Sequence, residues 1–123
     1  MRHLILIKHS EDLRNLPFPP GLDAAMGTFI GDAMKRGILL DTAGLKPTAD
    51  GARVRSENQR LKVTDGPFTE SKEIIGGYAM IEAKSRAEAI DFASQFMELH
   101  RVHWPEFVGE CEVRALEHFE PPA

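Results

Sequence analysis

One cysteine, Cys111, in 123 residues excludes an intrachain disulfide and any zinc cage built on cysteines. Long apolar runs are missing as well. The opening stretch Leu4 to Ile7 is far too short for a signal core or a membrane span. Basic residues are not in excess: fifteen Lys and Arg face nineteen Asp and Glu, a formal charge of −4. A general nucleic-acid or anionic-membrane binder needs a basic field, and this chain has none. Aromatics are only 7% and do not alternate with basic residues as in a single-strand binder. Repeats and low-complexity tracts are absent. What remains, 42% hydrophobic and 28% charged residues, is the composition of an ordinary globular protein. The length suits one domain, residues 1–123, that buries roughly two thirds of its unfolded surface. A reducing, cytoplasmic compartment is expected.

Hydrophobic periodicity predicts the elements. His3 to His9 reads as a strand with two apolar faces, Leu4/Leu6 and Ile5/Ile7. The proline-rich segment Ser10 to Gly21 reads as a loop. Leu22, Ala25, Met26, Phe29, Ile30, Ala33 and Met34 recur at helical spacing, predicting a helix over 22–36 that Gly37 stops. Ile38 to Leu45 reads as a bent strand. Ala52 to Arg55 and Arg60 to Val63 alternate as a hairpin around Glu57-Asn58, one face apolar and the other basic. Ile74 to Ala83 is another strand, with Ile74, Tyr78 and Met80 on one face and Ile75, Ala79 and Ile81 on the other. Ser85 to Glu88 fits a capping box opening a second helix that runs to about His100. Cys111, Val113 and Ala115 mark a last strand, and 117–123 reads as a frayed tail. Without the hairpin, the order is a ferredoxin-like split βαβ arrangement of α+β class. Its helices cover one sheet face. The greasy opposite face points to a homodimer packed sheet to sheet.

Val63-Thr64-Asp65-Gly66-Pro67-Phe68-Thr69-Glu70-Ser71-Lys72-Glu73 resembles the YCII-related family, in its DGPF branch. Gly44 to Thr48, Ala52 to Arg55, Gly76-Gly77-Tyr78 and Glu110 to Arg114 extend the likeness over almost the whole chain. The resemblance implies a dimeric α/β barrel. It implies no settled activity: some branch members are encoded with sigma factors, and the wider family includes a dehalogenase. It also implies, in some members, a His–Asp pair with the His early in the first helix and the Asp in the second. By alignment those positions fall here on Met26 and near Phe96, both apolar, so the pair is not carried over.

Other residues must then supply any chemistry. Asp65 fits two roles, a turn carboxylate accepting amide hydrogen bonds or a general base at a strand end. Lys72 suits a small anionic ligand, with Glu70 or Glu73 moving a proton; a solvated, loosely paired loop accounts for the same charges. Tyr78 and Phe68 are candidate pocket walls, and His9 is the nearest general base if strand ends line a cavity. His100, His103 and Glu106 have helical metal-ligand spacing, but Pro105 interrupts the helix, and His100 suits a core cap with its ring N–H on a carbonyl. No metal or other cofactor is expected, and a haem- or metal-assisted oxygenase finds no ligand set. The reading is therefore a small-molecule-binding dimer or cofactor-free enzyme with isomerase, lyase or dehalogenase-like proton chemistry. The alternative is a regulatory module with a sigma-factor-linked partner, supported by the basic hairpin face Arg53, Arg55, Arg60 and Lys62.

Overall fold

A computed structural model describes residues 1–117. The strands are β1 (Arg2–His9), β2 (Leu39–Gly44), β3 (Ala52–Glu57), β4 (Arg60–Asp65), β5 (Ile74–Glu82) and β6 (Gly109–Ala115), and the helices are α1 (Pro20–Lys35) and α2 (Arg86–His103). Four strands form one antiparallel sheet in the order β2-β5-β1-β6. That order, with a helix after the first and third of its strands, is the ferredoxin-like split βαβ arrangement expected from the sequence. The hairpin β3–β4 forms a separate two-stranded sheet. The frayed tail expected beyond Glu117 lies outside the described residues.

Local chemistry sets the element ends. Proline stands at the first position of α1, where its missing N–H costs no hydrogen bond. At the other end Gly37 is left-handed at φ 74°. The Gly37 and Ile38 amides donate to Met34 and Ala33 carbonyls at 3.0 Å each, closing the helix in a Schellman motif. Ser85 caps α2 by accepting the Glu88 amide at 3.1 Å. The hairpin turns at Asn58 and Gln59, φ 52° and 66°, one residue later than the alternation suggested. Two consecutive positive φ values match the twist of the flanking strands.

Ile5, Ala33, Leu39, Ala79, Ile81, Ala89, Phe92 and Ala93 make the core between sheet and helices. Fully burying a side chain such as Ile5 or Ile81 stabilises by about 1.5–3 kcal/mol. A second cluster of Leu13, Leu22 and Trp104 packs near the start of α1 and the end of α2. Between Ile7 and Lys8 the β1–β5 register shifts: Ile7 pairs with Gly77, but Lys8 pairs with Ile75. Gly76 is the extra residue of a bulge, and beyond it the side-chain alternation inverts. Ile74 pairs with His9 and is buried on the helix side, whereas Ile75 is exposed. The sequence alternation had assigned these two residues the other way round.

Candidate functional site

The end of β1 opens on a cavity. It has a volume of about 500 Å³ and lies between the helix side of the sheet and the two helices. Ile7, Leu13, Met26, Ile30, Phe96, Trp104 and Phe107 give it apolar walls. Among the described residues its lining contains two titratable side chains, His9 and His100, and no carboxylate, lysine or arginine. A chamber of this size with few polar groups has the character of a small-molecule site.

Both histidines are held in one tautomer by the backbone. His9 Nδ1 lies 2.8 Å from the Ser10 carbonyl oxygen. His100 Nδ1 lies 3.0 Å from the Phe96 carbonyl oxygen. A carbonyl only accepts, so each Nδ1 carries a hydrogen, and each neutral ring presents a bare Nε2 lone pair. Among the described residues neither Nε2 has a hydrogen-bond partner. The His100 ring is 5% exposed and lies between Phe96 and Phe107, with centroids 4.9 and 4.5 Å away. Burial pushes its pKa down, the bond to Phe96 opposes this, and His9 lowers it further. The buried ring is therefore held neutral, as a base must be. The His9 ring lies across Gly76, where any Cβ would overlap its Nε2.

The Asp-Gly-Pro-Phe segment lies elsewhere. Gly66 sits so close to the Thr48 carbonyl that a Cβ could not be accommodated, and its amide donates to Gly51 at 2.9 Å. The Gly66–Pro67 peptide is cis. Thr48 Oγ1 accepts the Phe68 amide at 3.2 Å and donates to Glu11. The Arg53 guanidinium stacks 3.7 Å from the Phe68 centroid, bonds Glu70, and donates to Ser71 Oγ at 3.0 Å. These contacts tie the base of the hairpin to the segment that follows β2.

The residues singled out by sequence thus part company. His9 lines the chamber. Phe68 and Glu73 line a second, more polar cleft of about 590 Å³ with Lys46, Thr48 and Arg53. Asp65, Glu70 and Lys72 are exposed and line neither space. Tyr78 faces the sheet side away from the helices, where its hydroxyl donates to Asp41 Oδ2 at 2.8 Å. Among the described residues, neither space is lined by Asp65, Glu70, Lys72 or Tyr78. His100 makes the carbonyl bond its helical position suggested, but its chamber-facing edge was not evident from sequence. Among the described residues no three His, Cys, Asp or Glu side chains cluster as a metal site, and His100, His103 and Glu106 do not converge. No described helix is long and apolar enough to cross a membrane.

The family model of the YCII-related domain matches residues 1–97. A curated relative, an uncharacterised protein of Rhizobium meliloti (strain 1021), is 34% identical over 88 residues. That match covers 72% of this chain and 67% of the relative. Met26 and Phe96 both line the chamber.

Proposed function

The chain belongs to the YCII-related family, and from that premise we propose that it binds a small molecule in the apolar chamber and handles its protons without a cofactor. The observation that carries this is the pair of histidines that line one apolar space, each fixed through Nδ1. Met26 and Phe96, on or near the positions where the resemblance puts the His–Asp pair of some family members, line the chamber. Here the walls at those positions are apolar, and the bases come instead from the end of β1 and the last turn of α2.

Two imidazoles suit a proton shuttle. One Nε2 takes a proton from a carbon beside a carbonyl, and the C–H electron pair moves into an enolate. The imidazolium so formed, or its neighbour after exchange, returns a proton to another carbon, and the ring ends neutral. Charge and protons balance, and no redox partner is needed. Isomerisation is the simplest outcome; elimination of a leaving group from the same enolate gives the lyase or dehalogenase variant. Positioned general bases of this kind contribute about 10²–10⁴-fold.

Homodimerisation is part of the reading. Leu4, Leu6, Tyr78 and Met80 share the sheet side without helices, and a second copy packed there would cover them. A regulatory role through another protein has one observation in its favour. Val54, Leu61 and Val63 are 68%, 76% and 65% exposed on the hairpin's apolar face.

Trp104, the chain's sole tryptophan, lines the chamber and supplies the assay. β-Tetralone, an enolisable ring ketone, should quench its fluorescence saturably. In deuterated buffer the protein should accelerate hydrogen exchange beside the carbonyl, and His100→Gln should lower that rate about a hundredfold. Saturable binding with no acceleration of exchange would leave a binding protein and remove the enzyme.

A further inference from the structure

We infer that the segment between Leu13 and Leu22 is a strap that closes the chamber over its ligand, with Leu16 and Phe18 as the side chains the ligand buries. This rests on the proposed function, in which the chamber is the ligand site, and adds how that site is shut off from water. Three observations carry it.

The first is exposure. Leu16, Phe18 and Leu45 all line the chamber, yet they are 46%, 50% and 42% exposed. Single exposed apolar side chains are ordinary on a protein surface. Several around one opening form a greasy rim, and such a patch marks a surface that something covers. The lining points to the occupant. A molecule filling the space beside Ile7, Met26 and Phe96 lies against the same rim.

The second is how the segment is built. Leu13 is buried at one end and Leu22 at the other, and both pack with Trp104. Between these anchors Leu16 and Phe18 each precede a proline, which confines their backbones to the extended region. Leu16 sits at φ −88°, ψ 144°. A span braced in this way has little conformational freedom to lose on closing. Phe18 already leans on the chamber wall, edge-on to Trp104 with ring centroids 5.6 Å apart. The turn that leads into the span, Glu11–Asn15, is a single 3-10 helix. Its Leu13 amide donates to Ser10 at 3.3 Å, and the Leu16 amide donates to Leu13 at 3.1 Å. Short turns held this lightly belong to the part of a fold that opens most readily.

The third is the link to the histidine. The Ser10 carbonyl that accepts the Leu13 amide also lies 2.8 Å from His9 Nδ1. A shift at the start of the strap therefore reaches a ring that the proposed chemistry uses. Closure over the ligand would exclude water from that proton transfer.

The test uses the intact protein and β-tetralone. Amide hydrogen exchange, read by mass spectrometry with and without saturating ligand, should slow about tenfold or more over residues 11–19. The hairpin, residues 52–65, should be unchanged. By calorimetry, the double variant Leu16→Ala/Phe18→Ala should bind β-tetralone about tenfold more weakly. Val54→Ala/Leu61→Ala, which trims exposed apolar side chains away from the chamber, should bind as the wild type does. Saturable binding with unchanged exchange over 11–19 would overturn the strap while keeping the chamber as the ligand site. Equal weakening in the two double variants would also overturn it. The exchange measurement on the wild type decides the matter if the Leu16/Phe18 variant fails to fold. Failure of β-tetralone to bind, with the fold intact by circular dichroism, would remove the chamber reading and this inference together.

Discussion

The His9 ring occupies the volume that a side chain at position 76 would need, so the glycine in the β5 bulge and the histidine ending β1 form one unit. The bulge inverts the alternation there, which brings Ile74 beneath the helix side opposite His9. The imidazole then rests across the bare backbone with Nδ1 on the Ser10 carbonyl.

Gly76→Ala tests that dependence. The methyl would overlap Nε2, and because the obstacle is the end of a side chain, His9 can swing aside. The thermal midpoint should correspond to a loss of no more than about 1 kcal/mol. Binding of β-tetralone should fall at least tenfold, as with His9→Ala. Wild-type affinity in Gly76→Ala would show that His9 does not need its present position.

His100 should make stability depend on pH. Its folded pKa lies below the ordinary histidine value of 6.5, mainly through burial. The unfolded chain therefore takes up this proton first as pH falls, and the native state is penalised. The stabilisation is complete above 6.5 and is lost as pH drops through the folded pKa. Urea unfolding of wild type between pH 8 and 5 should show this loss, and His100→Gln should show a shallower slope over the same window. Parallel slopes would show that His100 titrates alike in both states.

Much of the scaffold was legible because its elements obey simple periods. The apolar stripe of α1, the Ser85 cap and the alternation in β1 and β6 each have a local cause. Gly76-Gly77 pointed to a close backbone approach or a bulge without saying how the flanking alternation would shift, and so Ile74 and Ile75 exchanged faces. The chamber was hidden for a different reason. Its lining comes from β1, α1, β2, β5, α2 and the segments after β1 and α2, a convergence that no local window contains. Asp65-Gly66-Pro67-Phe68 drew attention because its composition is unusual, and the unusual feature has a packing cause in the contact of Gly66 with Thr48.

Gly66→Ala should accordingly be severe. The obstacle to a Cβ is the Thr48 backbone carbonyl, which cannot rotate away as a side chain does. The Gly66–Gly51 hydrogen bond would have to lengthen with it. A destabilisation of about 2 kcal/mol is expected from overpacking, read as a lower urea midpoint. Asp65→Ala, at an exposed position, should shift stability by no more than about 0.5 kcal/mol. A larger loss there than at Gly66 would return the structural role to the carboxylate.

Cys111 should be unreactive despite being the chain's only thiol. It pairs with Ile7 on β1 and packs partly buried against the core. Burial, helped by the Glu110 charge, pushes its pKa from 9.0 up to about 11. The thiolate is the species that attacks a disulfide reagent, so at pH 8 the native protein should react roughly a hundredfold more slowly than the unfolded chain. Ellman's reagent with and without urea measures this directly. The Cys111→Ala variant should give no signal in either state, and a native rate equal to the unfolded one would mean that β6 does not hold the thiol against the sheet.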